Sequence, residues 1–353
     1  MASTKPIPPF EITEKNVAQT HVLDLLGGVV RTRPLSGEEA LERLDELERK
    51  ALEGDPAAQA SFARYLLTHD VCARNNRRAV RILKKSLETG LAEAAYLWGL
   101  LLMLGQGVTA DYAAALGFWE EAALKGHVDA QRDLARAYKL GIGTEPDLKK
   151  ALYWFRLAGA AGSCRSQREA GLLYRDGADG GVPRFEEAGK WLGMAAQGGD
   201  MIAQYELARL LVRRDHPSPD PAGAEKWMRE AALSGEINAQ YRLGIKFWAG
   251  QGQRVDLREA LRWTCRAAEG GDTRALVTLA GFFQTGNALP VDRFKAYVLL
   301  KSAAKRGDPT ARAGLPGIES MLTFREKRAA QKVVRRFSDV KTLVEEMIPR
   351  AAR

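Results

Sequence analysis

The sequence predicts an all-α protein, a right-handed superhelical solenoid of stacked helix pairs with no β-sheet. Three columns of residues in one register predict it. Glycine stands at 54, 90, 126, 162, 199, 235, 271 and 307, at intervals of 36 residues with a single 37. Four residues after each comes a small residue: Ala58, Ala94, Ala130, Ser166, Ala203, Ala239, Ala275 and Ala311. Eight residues before each glycine lies a mostly bulky column: Glu46, Ile82, Phe118, Trp154, Trp191, Trp227, Trp263 and Leu299. A period of this length marks a supersecondary unit that buries its apolar face only against its neighbours.

One unit gives the local logic. Ala130, Leu134, Ala135 and Tyr138 fall at helical spacing and form one apolar stripe, helix A. Gly141-Ile-Gly143 ends that helix, because glycine accepts the left-handed backbone of a tight exit. Asp147 is placed to cap the next helix, B, on which Ala151, Trp154 and Ala158 share a face. Gly162 stops helix B, and the next unit begins four residues later. Small residues in the alanine column allow close approach of the paired helices, and the tryptophans are expected to fill the core beyond them.

Seven such units are expected over residues 58–310. Residues 36–57 read as a lone capping helix: Ser36-Gly-Glu-Glu39 is a capping box ahead of Leu41, Leu44, Leu47 and Leu52. Residues 1–35 form an extension rich in Ser, Thr and Pro at its start, expected to lack order through about residue 15. Residues 311–353 are expected to be basic capping helices, the second of them capped by Ser338 or Asp339.

The pattern of alanine, Gly-x-Gly, Asp, Ala-x-x-Trp, Ala-Ala and Gly resembles the Sel1-like repeat family, relatives of the tetratricopeptide repeats. Gly105-Gln-Gly107 with Asp111, Gly141-Ile-Gly143 with Asp147, and Gly250-Gln-Gly252 with Asp256 carry it best. Three units depart from it in the A–B loop. The first has His69-Asp-Val-Cys72 and Asn75, the fourth an extra residue in Gly177–Pro183, and the fifth Arg214-Asp-His-Pro-Ser-Pro-Asp-Pro221. The resemblance implies a non-catalytic protein–protein interaction scaffold whose A helices line a concave groove.

In that geometry the second, sixth and ninth or tenth residues after the alanine column face inward. The middle of the groove is then basic, with Arg132, Arg136, Lys139, Arg168, Arg175, Arg209 and Arg213, and its flanks carry Tyr205, Tyr241 and Trp248. Met103 is expected on the open groove as well. Arg132 and Arg136 at i,i+4 repel each other, with Asp133, Glu169 and Glu206 at adjacent outward positions as their local counter-charges. An acidic peptide would relieve that repulsion, since Arg makes charge-assisted, often bidentate bonds to carboxylates. The expected partner is therefore an acidic protein segment.

A second basic patch lies near the C-terminus. Arg325, Arg328, Lys332 and Arg336 fall on one helix, opposite Met321, Phe324, Ala329, Val333 and Phe337, which are expected to turn inward. It reads as a polar outer face of a cap, with an acidic partner, anionic lipid or nucleic acid as competing readings. The net charge of +9 admits any of these.

No nucleophile–base motif, phosphate-cradling loop or metal-ligand spacing occurs. His21, His69, His127 and His216 are far apart, and Cys72, Cys164 and Cys265 form no pair at a repeated spacing. Neither cofactor, metal nor small-molecule substrate is expected. The β-lactam binding of some disulfide-rich family members is not carried over, because their paired cysteines are missing. No apolar run near the start resembles a secretory signal, and none approaches the roughly 18 residues of a membrane span, so a cytoplasmic location is expected. An adaptor is the leading reading. A secreted bacterial effector or secretion-associated chaperone is the second, and a nucleic-acid binder the third.

Overall fold

The computed structural model describes residues 38–69, 73–178, 180–251, 254–337 and 339–348. Among these there are eighteen helices and no strand. The 1–35 extension, Ser36, Cys72, Gly252 and Ser338 lie outside the described residues, as does the proposed Ser36 capping box.

The chain divides into two compact units at Arg184/Phe185. The division falls within the A–B loop of the fourth repeat, just after the segment with the extra residue. Unit 1 holds α1 (Glu38–Glu53), α2 (Pro56–His69), α3 (Ala73–Leu87), α4 (Ala92–Leu104), α5 (Tyr112–Leu124), α6 (Val128–Leu140), α7 (Leu148–Ala160) and α8 (Cys164–Arg175). Each helix packs on the next in chain order. The first repeat, whose loop departs most from the pattern, still forms its pair, α2 and α3.

Unit 2 holds α9 (Phe185–Gln197), α10 (Met201–Leu211), α11 (Pro221–Leu233), α12 (Ile237–Ala249), α13 (Leu257–Glu269), α14 (Thr273–Thr285), α15 (Arg293–Lys305), α16 (Pro309–Glu319), α17 (Phe324–Arg336) and α18 (Val340–Met347). Successive helices pack together through α16; then α17 turns back onto α15 and α18 onto α13. Residues Leu322, Ala330, Val334, Leu343 and Val344 thereby join the same core as α13–α15.

The helix boundaries follow from the sequence. Asp147 accepts from the Lys150 amide at 2.9 Å, and Asp111, Asp220, Asp256 and Asp292 cap four more of the B helices in the same way. Asp339 caps α18 through the Thr342 amide. All eight column glycines have φ between 70° and 101°, the left-handed conformation that ends a B helix. Gly143 is fixed twice over: φ is 71°, and a Cβ there would lie 2.7 Å from the Tyr112 carbonyl oxygen in the preceding repeat. Gly143→Ala should therefore destabilise the protein by about 1 kcal/mol or more, read as a lowered urea midpoint; an unchanged midpoint would contradict this close approach.

A further column joins successive helix pairs. Gln59, Gln131, Gln167, Gln204 and Gln240 each follow the small-residue column by one. Each donates its side-chain amide to the carbonyl eight residues earlier, at 2.9–3.2 Å. That carbonyl stands at the end of the preceding B helix, where it also accepts from the amide of the column glycine three residues on.

The bulky column is corrected by the structure. Trp154, Trp263 and Leu299 are buried, but Ile82, Phe118, Trp191 and Trp227 are only half-buried. The column more consistently buried lies one residue later, with Leu83, Trp119, Phe155, Leu192, Thr264 and Leu300 all at most 4% exposed and Met228 of the fifth repeat half-buried. Helix A makes room for this column with small residues: Gly99 lies directly under the Trp119 ring, and Gly244 under Thr264.

Candidate partner-binding surfaces

The ten groove residues read from the sequence divide evenly between the two units. In unit 1, Arg132 does not face an open groove. Its side chain is 8% exposed, with Nε and Nη2 donating to the two Asp133 carboxylate oxygens at 2.9 and 3.1 Å and Nη1 to Asp129 at 2.5 Å. Asp133, expected on the outside, is fully buried and also accepts from the Tyr96 hydroxyl at 2.9 Å. Burial works against both charges and raises the Asp133 carboxyl; Asp133 and Asp129 nonetheless hold the Arg132 guanidinium above its ordinary value. The expected Arg132–Arg136 repulsion is thus answered within the fold. Met103, 1% exposed, is likewise core rather than open surface.

The seam that covers Arg132 has a rule. The second residue after one alanine column meets the third residue of the next repeat, 37 positions on: Tyr96 reaches Asp133, and Arg242 reaches Tyr205. Two A helices in contact therefore hide the position that a single helix appears to present.

What unit 1 does bring together is a cleft of about 220 Å³ lined by Arg136, Arg165, Arg168 and Glu169. Lys139 donates to Glu169 at 2.7 Å, and Arg168 lies 3.5 Å from the same carboxylate. Burial pushes the Arg136 guanidinium below its ordinary value; Asp133 opposes that shift, while Arg165 and Arg132 add to it. Arg175 is not part of this cleft and forks onto Asp176 at 2.7 and 3.0 Å.

In unit 2, Tyr205 is buried, 7% exposed, with Arg242 donating to its hydroxyl at 2.9 Å and Arg209 over its ring at 5.6 Å. Arg209 is itself exposed and bonded to Glu206 at 3.1 Å. Arg213 pairs with Asp215 and stacks over Phe185 at 4.7 Å. Trp248 remains 43% exposed, its ring 6.4 Å from that of Phe282. Of these five, only Tyr241 lines a cleft formed by α10, α11 and α12.

That cleft, of about 710 Å³, lies among α10, α11, α12 and the start of α14. Its apolar walls include Val212, Met228 and Ile245, and its cations are Arg242, Lys246 and Arg274. Arg274 sits over the Tyr241 ring at 4.6 Å and is fixed by Asp272 and by Asn238 at 2.8 Å. Hydrogen bonding to Asp272 is the largest cause of its raised pKa. Lys246 and Arg229 share Glu225 at 3.0 Å, and they hold that carboxyl below its ordinary value. Val212 and Pro221, at the ends of the proline-rich loop, open onto the same space. Arg242, Arg274, Lys246 and Met228 escaped sequence reasoning, although the 37-residue seam contact places Arg242 beside Tyr205.

The C-terminal patch is exposed as expected at Arg325, Arg328, Lys332 and Arg336. The inward face agrees in part: Val333 and Phe337 are half-buried against the core, beside the buried Ala330 and Val334, whereas Ala329 is exposed and Met321 and Phe324 are 62% and 79% exposed. A cleft of about 290 Å³ beside them is formed by Lys301, Lys305, Gln331, Val334 and Arg335.

A family model, that of the Sel1 repeat, matches residues 92–127, 128–163, 164–200, 202–236, 237–272 and 274–308, together more than half of the chain. Among solved structures, the chain is similar to a Sel1 repeat protein from Oxalobacter formigenes. Identity is 24% and the TM-score 0.59, over 69% of this chain and 96% of that one. It is also similar to a protective antigen of uropathogenic Escherichia coli strains that displays an SLR fold. There identity is 19% and the TM-score 0.50, over 94% of this chain and 86% of that one. At these identities the likeness bears on the fold alone.

Proposed function

The chain belongs to the Sel1 repeat family, whose members are generally protein-interaction scaffolds, and from that premise we propose that it is a non-catalytic adaptor that binds an acidic, partly apolar segment of another protein. The observation that supports this reading most is the unit 2 cleft. An apolar wall of Val212, Met228 and Ile245 is rimmed by Arg242, Lys246 and Arg274. Such a surface suits a segment that alternates carboxylates with apolar side chains. Trp248 offers an exposed aromatic anchor on the same helix as Tyr241, and Trp, Tyr and Arg are the residues that dominate binding energies at interfaces.

Selection of random twelve-residue peptides against the purified chain tests the reading. Enriched peptides should carry Asp or Glu next to aromatic or aliphatic residues. Arg274→Glu and Trp248→Ala should each weaken them at least about tenfold, which corresponds to about 1.4 kcal/mol. Arg274 is half-exposed and Trp248 is 43% exposed, so the fold should survive both changes. Enrichment of basic peptides, or affinities unmoved by either substitution, would refute it.

A further inference from the structure

Helix α17 presents a face that neither the core nor a counter-charge uses. Phe324, Arg328, Gln331 and Arg335 run along one stripe at i, i+4, i+7 and i+11, with Arg325, Lys332 and Arg336 beside it; all seven are exposed. Ala330 and Val334 bury the opposite side. Glu326 is the one carboxylate of the helix, and it is turned to the cap, accepting from the Thr323 amide and hydroxyl at 2.7 Å. The side chains of Arg325, Arg328, Lys332 and Arg335 form no ion pair or hydrogen bond with another described residue, and Arg336 stacks over Phe337 at 5.2 Å. By contrast Arg209, Arg229 and Arg262, exposed on other helices of unit 2, each meet a carboxylate within about one turn.

Two large apolar side chains stand at the start of this face. Phe324 is 79% exposed and Met321, just ahead of the Thr323 cap, 62%. A row of unpaired cations with projecting apolar groups is the make-up of a surface that lies on a membrane, charges among the headgroups and apolar side chains below them. An acidic protein segment would need a groove, and the cleft beside the row, about 290 Å³, has Val334 as its one apolar residue. Nucleic acid would meet the cations through its phosphates but would leave Phe324 and Met321 without a partner. An anionic lipid surface answers both sets of side chains and asks for no shape complementarity.

We propose that the exposed face of α17 rests on an anionic lipid surface, its cations against the headgroups and Phe324 and Met321 inserted among them. Among the described residues no helix is long and apolar enough to cross a membrane, so the contact is peripheral. The proposal goes beyond the adaptor reading and uses none of the residues of the unit 2 cleft.

Flotation of the full chain with vesicles tests it, using phosphatidylcholine alone and a mixture of about two parts phosphatidylcholine to one of phosphatidylserine. At low salt the mixed vesicles should bind at least about tenfold more tightly than the neutral ones. Each cation at such a surface is worth about fivefold in partitioning, so Arg328→Gln with Lys332→Gln should weaken binding at least about tenfold. Phe324→Ser should weaken it several-fold with the charge unchanged. These three side chains are exposed, so helical circular dichroism should not change in either variant. Trp248→Ala and Arg274→Glu should leave vesicle binding intact. The proposal is overturned if neutral and mixed vesicles bind equally, or if either α17 variant binds as the parent chain does. It is equally overturned if a double-stranded oligonucleotide, at matched phosphate concentration, binds more tightly than the mixed vesicles, which would make this a nucleic-acid surface. If vesicle binding fails while selected peptides still bind through Arg274 and Trp248, the lipid surface fails alone and the adaptor reading stands.

Discussion

Replacing Trp119 by alanine is expected to cost about 3–5 kcal/mol, the range of large aromatic truncations in packed cores. The ring is fully buried, lies on Gly99 of its own helix pair, and its Nε1 donates to the Tyr96 carbonyl at 3.2 Å. Truncation leaves a cavity that the two helices close poorly, because Gly99 has no side chain with which to fill it. Stacked repeats need not unfold in one step, so amide hydrogen exchange in α4 and α5 is the suitable readout of the local opening free energy. Trp191→Ala, at a half-buried site, should cost clearly less in α9 and α10. Equal losses at the two positions would mean that the core does not follow the column beginning with Leu83 and Trp119.

The second large effect is expected at Asp133. Asp133→Ala removes both Arg132 bonds and the acceptor of the Tyr96 hydroxyl, all inside the seam between α4 and α6. Breaking one side of a buried pair costs about 3–5 kcal/mol, mostly through the charge left behind. Asp129 still holds one Arg132 nitrogen, which should keep the loss near the lower end of that range. The informative comparison is Tyr96→Phe, Arg132→Met and Asp133→Leu together. All the buried polar groups of the seam then go at once, and the triple variant should be more stable than Asp133→Ala alone. Urea denaturation followed by circular dichroism orders the two; a triple variant that is the less stable would contradict this account of the seam.

The axial order of this fold was legible from the chain and its angular phase was not. Glycine, alanine and Asp columns place every A and B helix of the repeats, since each marks a stop, a close approach or a cap. One residue, however, is about 100° of rotation around a helix. Judging the core by bulk chose the column of Trp191 and Trp227, whose large rings lie half in and half out, over the smaller Leu192 next to it. The same slip put Met321 and Phe324 inside the cap, where Ala330 and Val334 belong.

The candidate sites were legible in charge but not in exposure. Arg132 and Tyr205 looked open because each helix was read by itself, and the neighbouring repeat covers them. Arg136 and Arg168 do share a cleft, but Arg165, which completes it, lies one residue before the small-residue column and outside the positions taken as inward. Arg274 has the same place in its own repeat. Neither arginine is predictable from one helix, because each contributes to a cleft made with the preceding A helix.

The most direct test of the adaptor reading is site-specific photo-crosslinking to a selected acidic peptide. A photoreactive benzoylphenylalanine is placed in turn at Trp248, at Tyr153 on the exposed face of α7, and at Arg328 on α17. The account predicts crosslinked peptide from position 248, suppressed by Arg274→Glu, and background yield from positions 153 and 328. Crosslinking from 328 with none from 248 would contradict it and move the binding surface to the C-terminal basic helix.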